Sequence, residues 1–134
     1  MEIEIVYKYE VTPSTAQIIE VYESSGIIRP TSNPGRIEMM YAKSNLVVTA
    51  WQEENLIGIA RCLTDFCYSC YLADLAVKIE FQQKGVGKKL IGMVRERIGP
   101  QTSLILLSAA GAMNYYPKAG FNKIENGFII NRTE

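Results

Sequence analysis

The sequence predicts an α+β domain of three layers, with a mixed sheet lying between helices. Two observations carry this expectation. Strand-like and helix-like segments succeed one another in the order β-α-α-β-β-β-α-β-α-β-β. Among the strands, one pair reads as an antiparallel hairpin, whereas the next is apolar on both faces, as in a central strand buried from both sides. The chain has 134 residues, the size of one ordinary domain, taken as 1–134. Hydrophobic residues make up 48% of it, enough for a core without metal or disulfide staples.

The elements follow from local pattern. Ile3 to Tyr7 alternates and reads as an opening strand. Thr12-Pro13-Ser14 is a helix entry, with Thr12 as cap and Pro13 in the first turn. Ile18, Ile19, Val21 and Tyr22 give this helix an apolar face, and Gly26 ends it. Asn33-Pro34 starts a second helix through Met39, Met40 and Tyr41. Leu46 to Trp51 is a strand, Glu53-Glu54-Asn55 its turn and Leu56 to Leu63 its return. After a turn at Thr64-Asp65-Phe66, Tyr71 to Val77 is apolar except at Asp74. Gln82 to Gly87, rich in glycine and polar residues, leads into a helix with Val86, Leu90, Met93, Val94 and Ile98 at helical spacing. Gly99-Pro100 stops it. Leu104 to Leu107 is a further buried strand and Ala109 to Lys118 a short helix. Phe121 to Ile124 and Phe128 to Ile130 form a closing hairpin that turns at Asn126-Gly127.

Composition narrows the chemistry. Lysine plus arginine (14) balances aspartate plus glutamate (14), so no broad basic field draws the chain to nucleic acid. Any positive patch is local and serves a small anionic ligand. No apolar run approaches the roughly 20 residues that span a bilayer, and Met1-Glu2-Ile3-Glu4 is no signal peptide. Cys62, Cys67 and Cys70 are odd in number and crowded, which suits a reducing, cytoplasmic setting better than a disulfide framework. Cys67 and Cys70 form a C-x-x-C pair, but with no second pair and no histidine a metal site is not expected. The absence of histidine also excludes Ser-His-Asp and Cys-His catalysis, H-E-x-x-H proteases and histidine-bound zinc deaminases. Carboxylates, tyrosines, thiols, lysines and backbone groups remain.

The segment Gln82-Gln83-Lys84-Gly85-Val86-Gly87-Lys88 lies between a buried strand and an amphipathic helix. Its glycines let backbone N–H groups approach a ligand closely. The helix N-terminus adds unpaired donors and the positive end of a dipole, and Lys84, Lys88 and Lys89 reinforce it. This is a pyrophosphate cradle in principle. The dinucleotide fingerprint fails at Leu90, where it needs glycine, and no Walker spacing occurs.

Leu75-Ala76-Val77 followed by Glu80-Phe81-Gln82-Gln83-Lys84-Gly85-Val86-Gly87 resembles the acetyl-CoA signature of the GNAT acetyltransferase superfamily. Tyr115-Tyr116-Pro117-Lys118-Ala119-Gly120-Phe121 is similar to that family's F-Y-x-K-x-G-F segment, and the element order agrees over essentially the whole chain. Ile79 stands at the family's proline, Gln83 at a glycine, and Pro117 inside the second motif. Gln83 is compatible with the turn if its φ is negative. Pro117 removes a backbone donor and is placed to bend the chain beside Tyr116.

The resemblance implies a mostly antiparallel sheet in which two parallel strands, Leu72–Val77 and Ser103–Leu107, splay apart to hold acetyl-CoA as co-substrate. The backbone of Leu75, Ala76 and Val77 would pair with pantetheine amides, and Gln82 to Lys88 would hold the pyrophosphate. Tyr116 would reach the sulfur, and a backbone N–H near Val77 would meet the oxyanion. The activity implied is N-acetylation of a primary amine on a small molecule or peptide, by direct attack in a ternary complex. About one such amine in a thousand is neutral at pH 7, so a carboxylate or water chain must take its proton. Asp74, Glu80, Glu23 and Asp65 are the candidates. Asp74 is the most informative, because an acid in a buried strand is paired or functional. Trp51 and Tyr115 read as core, and Lys118 as a last-turn lysine or a cofactor contact. A non-catalytic acyl-CoA-binding domain is the second reading, a nucleotide module the third, and a homodimer is left open.

Overall fold

The computed structural model describes residues 4–134. Its sheet has five strands in the spatial order β1 (Val6–Tyr9), β2 (Leu46–Gln52), β3 (Asn55–Thr64), β4 (Ser69–Val77) and β5 (Ser103–Ile105). The first four pair antiparallel and β4 pairs β5 in parallel, so the sheet is mixed. Helices α1 (Thr15–Ser25) and α2 (Pro34–Ala42) pack on one face and α3 (Val86–Ile98) on the other. A short α4 (Tyr115–Lys118) follows β5.

Two cores result. One gathers Ile18, Tyr22, Ile37, Tyr41, Ile59 and Ala76, with Trp51 buried among them as expected. The other gathers Val48, Ile57, Leu72, Leu90 and Val94. Ser14 caps α1 through a capping box with Gln17, two residues later than the expected Thr12, while Asn33 caps α2 ahead of Pro34. A Cβ at Gly58 would lie 3.2 Å from Val86 and 3.3 Å from Leu90, so glycine there sets how closely α3 approaches β3.

One irregularity in β4 decides what faces where. Arg61 stands opposite Asp74, but the next residue, Cys62, stands opposite Leu72, leaving Ala73 as an extra residue in β4. The bulge resets the alternation. Leu72, Leu75 and Val77 pack with the α3 core, while Asp74 and Ala76 face α1.

Several expectations are corrected. The first strand starts at Val6 and reaches Tyr9, and Ile3 lies outside the described residues. The predicted helix Ala109–Lys118 is interrupted: a 3-10 turn, Ala110–Ala112, precedes α4, with Gly111 at its centre. β4 is not buried on both sides. Tyr71 is exposed although it pairs with Ile105, and Ala73 and Leu75, which have no partner in β5, are half-buried. The closing hairpin is absent. Phe121 to Glu134 contains no strand, and Phe128 and Ile130 are 98% and 99% exposed. A two-stranded hairpin is marginal alone, and among the described residues no strand pairs with this segment.

Candidate active site

The parallel strands separate after three pairs, Ser69 with Ser103, Cys70 with Leu104 and Tyr71 with Ile105. β4 continues to Val77, held on its other side, where Leu75, Ala76 and Val77 stand opposite Ala60, Ile59 and Gly58. On the β5 side these residues have no strand partner. Half-buried Leu75 and Leu106 flank the resulting gap. An extended chain with amide groups could pair here as a strand would.

The foot of the gap is the glycine turn. A 3-10 turn, Ile79–Phe81, leaves β4, and the Gln82 side chain donates to the Val77 carbonyl at 2.9 Å. Gln83 then adopts a φ of 62° and Gly85 one of 84°, both left-handed. The expectation of a negative φ at Gln83 is thereby overturned. A side chain in this conformation costs about 1–2 kcal/mol against the right-handed one. Left-handed residues on either side of Lys84 gather successive N–H groups into an anion-binding concavity. It runs into the start of α3, where Gly85 offers no side-chain cap to the free donors. Lys84 and Lys88 are exposed beside it. A shallow groove of about 470 Å³ continues along α3, lined by Gly85, Lys88, Lys89, Gly92, Met93 and Glu96. The residues present therefore fit a pyrophosphate.

Two tyrosines stand across the gap on α4. Tyr116 is half-buried, edge-on to Phe121 at 5.5 Å and to Tyr115 at 5.2 Å. Burial raises its phenol pKa and Tyr115 adds to this, whereas the Arg29 guanidinium opposes both. Tyr115 is not core: it is 38% exposed, and its hydroxyl would lie 2.9 Å from a Cβ on Gly87. Gly87 thus lets Tyr115 reach the first turn of α3. Pro117 does not disturb α4 as expected. It is the third residue of the helix, where an N–H would have no intrahelical partner anyway. The turn closes through Phe121 N–H to the Tyr116 carbonyl at 3.0 Å. Lys118 is exposed in the last turn.

Asp74 is the centre of a buried polar cluster on the α1 face. Arg61 Nε donates to one carboxylate oxygen at 2.5 Å and Tyr22 donates to the same oxygen at 2.7 Å. Arg29 Nε pairs with the other oxygen, and Arg29 Nη2 donates to the carbonyl of the bulged Ala73 at 2.9 Å. Tyr22 and Tyr41 hydroxyls meet at 2.5 Å. Burial alone would raise the Asp74 pKa, but Arg61, Arg29 and Tyr22 together hold it below the ordinary value. Burial pushes both phenols well above theirs. Arg29, Arg61 and Tyr41 were not singled out as site residues in the sequence. One signal was available: Arg61 is the lone charge in its strand, as Asp74 is in the next.

The remaining candidates are scattered. Asp65 accepts from the backbone N–H groups of Cys67, Tyr68 and Ser69, which lower its pKa to about 2, and so it ties the β3–β4 turn. Glu80 is exposed in the 3-10 turn, and exposed Glu23 accepts from Thr31 at 3.5 Å. Cys67 is exposed while Cys62 and Cys70 are buried, and no metal-binding group occurs among the described residues. Among these residues, too, no helix is long and apolar enough to cross a membrane.

A strand edge left open beside a glycine turn and a phenol suits an acyl-CoA-dependent acyltransferase. The profile of the acetyltransferase (GNAT) domain matches residues 13–132, and the chain belongs to this family. Its fold is that of a GNAT-family acetyltransferase from Streptococcus pneumoniae, at 19% identity over 98% of this chain and 100% of that one, TM-score 0.76. An aminoglycoside N-acetyltransferase, AAC(6')-Iy, solved in complex with CoA, matches at 15% identity over 99% and 97%, TM-score 0.73. An aminoglycoside acetyltransferase from an uncultured soil metagenomic sample, in complex with sisomicin, matches at 16% over 97% and 96%, TM-score 0.69. No curated protein matches the sequence significantly.

Proposed function

We propose that the protein transfers the acetyl group of acetyl-CoA to a primary amine of a small molecule or peptide, by direct attack in a ternary complex. The observation that carries this reading is the open β4 edge ending in the Gln83–Lys88 turn. Leu75, Ala76 and Val77 would pair with pantetheine, and the turn N–H groups with Lys84 and Lys88 would hold the pyrophosphate. The amine nitrogen attacks the thioester carbon, the C–S bond breaks, and the amine proton leaves to solvent or a carboxylate while the thiolate is stabilised by Tyr116. Asp74 has both oxygens engaged and a lowered pKa, so it makes a poor base. We assign it the task of holding Arg29 and the bulge in place. Glu80, exposed at the end of β4, and water remain to carry the proton.

Direct attack is supported by the thiols: two lie in the core and the third in the β3–β4 turn, so none is presented as an acyl carrier. The free thiols also accord with a cytoplasmic site. A small-molecule acceptor is supported by the two aminoglycoside acetyltransferases of like fold. The binding-only reading loses its main argument, because Pro117 fits α4 without a lost hydrogen bond. The test is thiol release from acetyl-CoA across a panel of aminoglycosides, polyamines and peptides, with binding followed by calorimetry. Release matched by acetylated amine, with intersecting initial-rate lines, is expected. Tight binding with no release across the panel would leave a binding domain.

A further inference from the structure

We infer that the acceptor is an amine that also carries a carboxylate, as a free amino acid does, and that Arg29 receives the carboxylate. The inference rests on the acetyl-transfer reading and narrows its acceptor. It starts from a charge imbalance. Arg29 and Arg61 share a single acid, Asp74, and among the described residues neither pairs with a second. Tyr22 and Tyr41 do not make up the difference, because burial keeps both phenols protonated. The cluster therefore holds one positive charge more than it neutralises. A buried charge is costly unless a partner meets it.

Arg29 is where that charge reaches the surface. Its side chain is 28% exposed, against 11% for Arg61 and 0% for Asp74. It comes from the irregular loop between α1 and α2, and its Nη2 bond to the Ala73 carbonyl ties it to β4. Ala73 lies just past Tyr71, the last β4 residue paired with β5, so the guanidinium stands where the two strands part. Its charge is felt by the Tyr116 phenol. Of the five N–H groups of a guanidinium, three go to Asp74, the Ile28 carbonyl and the Ala73 carbonyl. One N–H on each terminal nitrogen remains, and together they suit the two oxygens of a carboxylate. Glu23 accepts from Thr31 of the same loop rather than from Arg29. The spare charge also serves the chemistry. A cation beside the acceptor amine favours its neutral, attacking form, and it opposes polycationic acceptors.

The test is kcat/KM for β-alanine, γ-aminobutyrate and L-phenylalanine, each against its carboxamide and corrected for the neutral fraction of the amine. The acid should exceed the amide by about tenfold or more. Arg29→Gln should bring the ratio to about one, whereas Arg29→Lys, which keeps the charge but not the fork, should retain part of the preference. A wild-type ratio near one or below would overturn the inference and leave acetyl transfer standing. An unchanged ratio in an Arg29→Gln protein with native far-UV circular dichroism would do the same. If no amine is turned over, the transfer reading fails, and calorimetry of N-acetyl-L-phenylalanine with the CoA-loaded protein decides separately. Binding that Arg29→Gln abolishes upholds the carboxylate site, whereas binding that is absent or unaffected by the substitution overturns it.

Discussion

Along the flank of β4 that faces α1, Asp74 meets two guanidinium groups and a tyrosine hydroxyl, and both its oxygens are engaged. Along the flank that faces β5, Leu75, Ala76 and Val77 have no strand partner, and the nearby turn leads into a helix start with no side-chain cap. Both flanks belong to one strand. The first is a polar cluster closed by the chain itself, and buried side-chain polar atoms go unpaired nowhere among the described residues. The second is polar backbone that the chain leaves open. Buried groups that the chain satisfies specify the fold, whereas groups that it leaves open are where a ligand must complete it.

The contrast can be broken from either side. On the open flank, Tyr116→Phe should lower kcat by roughly 10²–10⁴-fold and leave acetyl-CoA affinity nearly unchanged. A reference phenol near pKa 10 giving its proton to a thiolate near 8.5 already runs uphill by about 2 kcal/mol. Burial of Tyr116 makes the transfer harder, so its part is a hydrogen bond to developing charge. Turnover at the parental rate would leave Tyr116 as packing.

On the closed flank, Asp74→Ala strands Arg29 and Arg61 without a counter-ion. Urea unfolding should register a loss of about 3–5 kcal/mol. A loss below about 1 kcal/mol would mean that water, not Asp74, satisfies the two arginines.

Acid should reach the same cluster without mutation. The Asp74 pKa is depressed in the fold, so its contribution is complete above the unfolded value of about 4 and disappears as pH falls through the folded one. Asp65 behaves alike, losing its contribution between about pH 4 and about pH 2. The urea midpoint should therefore fall with pH below about 4, and less steeply in Asp74→Asn. An identical pH dependence in the variant would exclude Asp74 as the source.

Two smaller tests probe the turn. Gly87→Ala meets the far end of the Tyr115 side chain, which can swing away, so the loss should be about 1 kcal/mol and vanish in a Tyr115→Ala background. Gln83→Gly relieves a left-handed side chain but adds unfolded-state freedom, and stability should change by no more than about 1 kcal/mol.

What could be read beforehand was local. The segments Leu75–Gly87 and Tyr115–Phe121 were legible through their resemblance to two family motifs, and the helices through period and capping residues. Contacts between distant segments were not legible. Asp74 demanded a partner, but Arg29 reaches it from an irregular loop 45 residues away and Arg61 only through a shifted register. The sign of φ at Gln83 was hidden, because a turn imposes it and the side chain merely tolerates it. Tyr115 was mistaken for core because adjacent residues on a one-turn helix point apart. Phe128 to Ile130 has strand propensity, but a strand needs a neighbour, and propensity names none.

Ala73 adds one residue to β4 and so acts as a phase shift between the two halves of the strand. Ahead of it and behind it, opposite parities of residue number point toward α3. Removing Ala73 alone would join Leu72 to Asp74 in an unbroken alternation, with Leu72 still opposite Cys62 and Asp74 still opposite Arg61. The shortened strand would straighten with Leu72, Leu75 and Val77 toward α3 and Asp74 and Ala76 toward α1, and what it would lose is the Ala73 carbonyl that accepts from Arg29. Along this strand, a one-residue deletion is harsher at a regular position than at Ala73, because at a regular position it turns the neighbouring side chains to the opposite face.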